Sequence, residues 1–105
     1  MSHSVASKQQ IITRLLGAQQ AIRRLGVKRL ALFGSFARDA ASDESDIDLL
    51  VEFSPGRKSF TTFMQLQDLL EDLLGRRIEL VTVDALSPFI GPTIKAEAED
   101  VLRAA

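Results

Sequence analysis

The 105-residue chain has no cysteine, no tryptophan and no tyrosine, and its one histidine is His3. Without cysteine it forms no disulfide, no thiolate metal centre and no thiol nucleophile. A single imidazole near the first residue all but closes zinc chemistry, and His3 reads as a solvated terminal residue. Six phenylalanines are the whole aromatic complement, a poor stacking platform for single-stranded nucleic acid. Neither sign of charge dominates: Lys and Arg number 13, Asp and Glu 14, for a net charge of −1. Bulk attraction to nucleic acid is therefore not expected, and no direct nucleic-acid partner is read. No apolar run approaches the ~18 residues of a membrane span, and no signal-peptide pattern opens the sequence. The expectation is a cytoplasmic protein without a membrane segment.

What is present is an ordinary globular composition, 46% hydrophobic and 26% charged. The length fits one domain with one modest core, residues 1–105, divided into an N-terminal helical part (1–26) and a core (27–105). Ser7 to Gln10 fits a capping box, and apolar residues then recur at helical spacing, so a helix over 8–25 stopped by Gly26 is predicted. Val27–Phe33 reads as a strand ending in Gly34-Ser35, which can open a short helix. Asp46–Phe53 reads as a second strand, Phe60–Leu74 as an amphipathic helix closed by Gly75, and Arg77–Val83 as a third strand. Pro88 and Pro92 flank a further helix start continuing through Ile94–Ala98; the segment around Val101 fits either more helix or a short edge strand. This alternation predicts an α/β (α+β) domain with helices on a small sheet. The 34–45 connection is short for a parallel crossover, so an antiparallel first strand pair is allowed. Phe60, Phe63 and Met64 read as core. Arg57-Lys58 and Arg76-Arg77 read as solvated loop charges.

The chemistry concentrates at the second strand. Five acids fall in ten positions: Asp39, Asp43, Glu44, Asp46 and Asp48. Asp46 and Asp48, two apart on a strand, point to one face and repel unless a cation lies between them. Hard oxygen donors on a rigid strand suit Mg²⁺, held by one or two carboxylates, water and substrate phosphates. An isolated Asp-x-Asp also fits a solvated strand start beside an acidic turn. Gly34 lets a phosphate approach the backbone, the Ser35 hydroxyl can donate to it, and Arg38 lies about one turn on. Taken alone, Gly34-Ser35 fits an ordinary strand-to-helix turn as well.

The combination is more specific than its parts. Gly34-Ser35-Phe36-Ala37-Arg38, then seven residues, then Asp46-Ile47-Asp48-Leu49-Leu50-Val51 resembles the signature of the DNA polymerase β-like nucleotidyltransferase superfamily. Within it, the Phe-Ala-Arg run, Ser45-Asp46-Ile47-Asp48-Leu49 and the short chain resemble the minimal nucleotidyltransferase (MNT) antitoxins of HEPN/MNT toxin–antitoxin systems. The resemblance runs from Val27 to about Leu102. It implies a small mixed β-sheet with flanking helices and a short terminal strand. It implies that Gly34 and Ser35 bind the triphosphate of ATP, the anion that Arg38 is also read to reach, and that Asp46 and Asp48 bind two Mg²⁺ ions. The third carboxylate of the family comes from the next core strand, and Glu79 is the matching residue, in place of the more usual Asp. Asp39 stands where many relatives have Gly. The implied partner is a HEPN-domain RNase toxin, in a hetero-oligomer, neutralised by transfer of AMP from ATP to a tyrosine hydroxyl. Two alternatives stand beside this: an antitoxin acting by occlusion with a weak site, and a nucleotidyltransferase for a small-molecule acceptor.

Overall fold

The computed structural model describes residues 5–42, 44–86 and 91–103. The readings made above for His3, Asp43 and Pro88 concern residues outside these. The chain runs α1 (Lys8–Gly17), α2 (Gln19–Arg24), β1 (Val27–Phe33), α3 (Gly34–Ala37), β2 (Ile47–Phe53) and α4 (Phe60–Leu74). It continues through β3 (Ile78–Thr82), a 3-10 turn (Val83–Ala85), α5 (Gly91–Glu97) and β4 (Glu99–Leu102).

One expected helix is two. The 8–25 segment breaks at Ala18, whose backbone leaves the helical region at φ −108°, ψ 13°. Gly17 immediately precedes the break, and glycine is the weakest ordinary helix former. The apolar period survives the break: Ile11, Leu15 and Ile22 are all buried. The Ser7 side chain accepts from the Gln10 N–H, as a cap should, but Gln10 reaches back to the N–H of Ala6. Gly26 follows α2 with φ +91°, the left-handed stop that glycine adopts without cost.

The four strands form one sheet in the order β3-β2-β1-β4. β1 pairs antiparallel with β2 and with β4, while β2 and β3 are parallel. The short 34–45 connection thus joins an antiparallel pair, and α4 provides the crossover that a parallel pair needs. The terminal segment is a strand, on the β1 edge. β3 is shorter than 77–83, because the chain turns into 3-10 geometry at Val83.

Period two divides the sheet into unlike faces. Ile47, Leu49 and Val51 are fully buried against Leu15 of α1 and Leu66, Leu70 and Leu74 of α4. The other face carries a smaller cluster, Ala31, Phe33 and Leu50, covered by Val81, Val83, Leu86, Ile94 and Ala98. Asp48 and Glu79 belong to that face by alternation. The expected core role of Phe60 and Met64 does not hold. They are 81% and 40% exposed, because they lie on the outer stripe of α4, four residues apart, while Phe63 packs against the core. Arg76 is not a solvated charge either. Its guanidinium donates to the carbonyls of Val5 (2.7 Å) and Ser45 (2.9 Å) and lies 5.1 Å from the Phe36 ring centroid. It ties the loop before β2 to the turn before β3.

Candidate active site

The end of β1, the start of β2 and the start of β3 meet at one place. Phe33 of β1 is the cross-strand partner of Asp48, and Asp48 lies beside Glu79 in the parallel β2–β3 register. Directly after Phe33 the chain turns at Gly34, with φ +75°. An added Cβ there would overlap the Asp48 carboxylate and come within 2.8 Å of its Cγ. Glycine is therefore required twice, by the left-handed backbone and by the closeness of the acid. The glycine of the motif and its second aspartate, fourteen positions apart, form one cradle.

α3 then rises from the cradle as a single turn. No side chain caps its N-terminus, and the Ser35 hydroxyl has no partner among the described residues. The turn is held by the Arg38 N–H on the Gly34 carbonyl (3.2 Å) and the Ala40 N–H on the Ser35 carbonyl (2.8 Å). The charge of Arg38 acts on Asp48, and Glu97 of α5 holds its guanidinium at 3.0 Å. Asp39 has φ +55°, a left-handed backbone that favours glycine.

Burial raises the Asp48 pKa above the ordinary carboxylate value, and the charges of Glu79 and Asp46 raise it further. The Arg38 charge opposes them, and Glu97 adds to the upward push. Asp46, Asp48, Glu79 and Arg38 thus share one electrostatic neighbourhood, with Gly34 against Asp48. Asp39 registers elsewhere. The pKa of Lys8 is raised first by its hydrogen bond to Glu99 and, against the effect of burial, by the charges of Glu99 and Asp39.

Among the described residues no three acid side chains converge closely enough to hold a metal ion as placed. The donor set nevertheless fits Mg²⁺, which takes oxygen ligands and usually needs only one or two carboxylates besides water and phosphate. A half-buried aspartate raised by two acidic neighbours and facing a glycine turn is the environment that a divalent cation would relieve. Beside Asp46 a cleft of about 500 Å³ opens between Ser45, Gly75, Arg76 and Arg77. Sequence reasoning missed Glu97 and the Arg76 tie, since both contacts join segments at least 31 positions apart and carry no local signal.

The profile of the family described as Nucleotidyltransferase domain matches residues 17–101. The chain belongs to that family. A protein of Methanocaldococcus jannaschii provisionally named a protein adenylyltransferase is 43% identical over 77 residues, 73% of this chain and 82% of the relative. The protein adenylyltransferase MntA of Thermococcus cleftensis is 39% identical over 74 residues, 70% of this chain and 74% of the relative. A solved structure described as a candidate minimal nucleotidyltransferase superposes with a TM-score of 0.81 at 32% identity, covering 92% of this chain and 98% of that one. This nucleotidyltransferase also shares its fold with a chain from the complex of tri-AMPylated Shewanella oneidensis HEPN toxin and MNT antitoxin. There the TM-score is 0.66 at 15% identity, over 92% of this chain and 73% of the other. The small mixed sheet with flanking helices is the minimal nucleotidyltransferase fold. Among the described residues no helix is long and apolar enough to cross a membrane.

Proposed function

We propose that this chain is a protein adenylyltransferase and antitoxin that moves AMP from ATP to a tyrosine hydroxyl of a HEPN-domain toxin. The observation that carries the reading is the Gly34 turn set against an elevated Asp48 beside Glu79. The names of the relatives and the toxin–antitoxin complex of the same fold favour a protein acceptor. In this reading residues 1–105 work as one cytoplasmic unit with 27–105 as catalytic core, and the toxin supplies the acceptor in a hetero-oligomer.

Gly34 and Ser35 hold the triphosphate, by close backbone approach and by the free hydroxyl. Arg38 neutralises phosphate charge. Asp46, Asp48 and Glu79 are the ligands for Mg²⁺, two ions in the full reading. When bound, Mg²⁺ supplies charge neutralisation at the phosphates and a more acidic acceptor hydroxyl. The acceptor oxygen forms a bond to the α-phosphorus, the bond to the β-phosphate bridging oxygen breaks, and pyrophosphate leaves. The Glu79 carboxylate, exposed on the site face, is the candidate acceptor of the hydroxyl proton where it is not itself a metal ligand. Glu79 forms no ion pair among the described residues, so its charge is available.

A second reading, neutralisation by occlusion with a silent site, draws on the lack of three converging acids among the described residues. One experiment separates the two: AMP incorporation into purified toxin by intact mass, beside a pull-down of the same variants. Glu79→Gln is expected to lose most transfer and keep toxin binding; Glu79→Asp is expected to keep part of the activity or raise it. Wild-type protein that binds toxin without ever labelling it establishes occlusion instead.

A further inference from the structure

Arg38 is the cation of the phosphate cradle, yet it already has an anion. Its Nη1 lies 3.0 Å from Oε1 of Glu97. The backbones that carry the two side chains are both held in place, although the Arg38 side chain itself is half exposed. The Arg38 backbone closes the α3 turn onto Gly34. Glu97 sits at the end of α5, whose Ile94 packs with the following Ala98 on Ala31, Phe33 and Leu50, on the sheet face that also carries Asp48 and Glu79. The two charges also act in opposite senses on Asp48, behind the larger influences of burial, Glu79 and Asp46.

We infer that Glu97 holds the anion position at Arg38 in the nucleotide-free protein, and that the bound triphosphate takes Arg38 over from it. This rests on the nucleotide reading of the Gly34–Arg38 cradle. Glu97 is then a positioning residue that acts through Arg38. It keeps the guanidinium aimed at the site when no phosphate is present, and it competes with phosphate for the same donors. The competition has a sign. Removing the Glu97 charge frees Arg38 and removes an anion from beside a polyanionic ligand, so binding tightens. A merely structural clip between α3 and α5 has the opposite signature, lower thermal stability with weaker or unchanged binding.

The test is calorimetric titration of the whole chain with the magnesium complex of a non-hydrolysable ATP analogue. Glu97→Gln, which keeps shape and a hydrogen-bond acceptor, should bind about two- to fivefold tighter than wild type, the range set by a partly exposed ion pair. The gain should shrink as salt rises through ~0.5 M, where screening weakens such pairs. Glu97→Asp, which keeps the charge, should bind like wild type. In an Arg38→Ala background Glu97→Gln should change nothing, since the effect runs through the guanidinium. Unchanged or weaker binding by Glu97→Gln overturns the exchange, and so does an equal gain in the Arg38→Ala background. If wild type and Glu97→Gln both fail to bind the analogue, the nucleotide reading falls first and the exchange falls with it. Binding by wild type with no response at Glu97 removes the exchange alone.

Discussion

Asp48 and Asp100 flank the same strand from opposite sides. Asp48 pairs with Phe33 of β1, and Asp100 pairs with Ala31 two residues earlier. Both are aspartates on a sheet, and burial pushes both carboxyl pKa values upward. They differ in company. Asp100 receives the Arg29 guanidinium at 2.6 Å and the Arg103 guanidinium at 2.8 Å, and these outweigh burial, so its pKa falls below the ordinary value. Asp48 is met by Glu79 and Asp46, and its pKa rises. The first acid is satisfied within the protein. The second is left with a need that the protein does not meet, and a half-buried acid raised by acidic neighbours beside a glycine turn marks a place for something from outside.

The largest effect expected from this difference is at Asp48. Asp48→Asn should lower AMP transfer about a thousandfold or more, the scale on which a charge that organises phosphate chemistry acts. The same change should raise the melting temperature at neutral pH, because it removes a repelled charge. The sign follows from linkage. A raised folded-state pKa gives stability below the unfolded value that is lost as pH rises through the folded one. The variant's advantage should therefore vanish when both proteins are melted near pH 3.5, below the ordinary value of 3.8. An Asp48→Asn protein less stable than wild type at pH 7 would place Asp48 with Asp100 among the structural acids.

Next in size is Gly34. A valine there would need a left-handed backbone that β-branched residues avoid and would drive its Cβ into the Asp48 carboxylate. Gly34→Val is expected to weaken binding of the magnesium-ATP analogue at least tenfold in calorimetry. It should also cost about 1–3 kcal/mol of stability, read by urea unfolding. Gly34→Ala, with the same Cβ and no branching, should lie between it and wild type. Wild-type affinity in a folded Gly34→Val protein would take the turn out of the site.

This cradle shows what the sequence made legible and what it did not. Gly34-Ser35 and Asp46-Ile47-Asp48 were readable because each cluster is local; strand period two assigns Asp48 to its face, whereas Asp46, expected to open the strand, lies just before β2. Glu79 came from the family resemblance rather than from periodicity, and only the parallel β2–β3 register sets it beside Asp48. The broken helix at Ala18 was hidden because the apolar period continues across it. The exposure of Phe60 and Met64 was hidden because an amphipathic pattern does not say how wide the buried stripe is. The Arg76 and Glu97 contacts depend on pairs of loops and helices brought together by the whole fold, and no residue near either one announces its partner.

A smaller effect is expected on the other side of the comparison. Asp100→Ala strips two guanidinium groups of their shared acceptor. Arg29 and Arg103 are partly open to water, so the loss should be about 1–2 kcal/mol rather than the cost of a fully buried pair. In a domain of this size that lowers the melting temperature by roughly 4–8 °C per kcal/mol. A depressed pKa gives stability above the unfolded value that is lost as pH falls through the folded one, so wild type and variant should converge in acid. The transfer rate of the folded variant should match wild type. A variant that melts normally but transfers slowly would show that the β1–β4 edge reaches the site.

The smallest effect tests whether the division into satisfied and unsatisfied acids is complete. Asp39 is exposed, sits one residue beyond Arg38, and has φ +55°. Its charge registers at Lys8 and not at Asp48. Two costs oppose each other in Asp39→Gly. Glycine relieves a left-handed conformation that costs ordinary residues about 1–2 kcal/mol, and aspartate less. Glycine also loses about 0.5–1 kcal/mol through its freer unfolded chain. The net change in urea unfolding should stay within about 0.5 kcal/mol. Asp39→Ala keeps the strain and loses the local polar side chain, so it should be less stable than Asp39→Gly by about 1 kcal/mol. Both remove the same charge, and together they separate backbone from electrostatics. Affinity for the magnesium-ATP analogue should be the same in wild type and in both variants, because the Asp39 carboxylate belongs to the Lys8 side of the turn. If both variants bind tighter by the same factor, the Asp39 field does reach the cradle, and Asp39 must be counted with Glu97 among the acids that oppose the triphosphate.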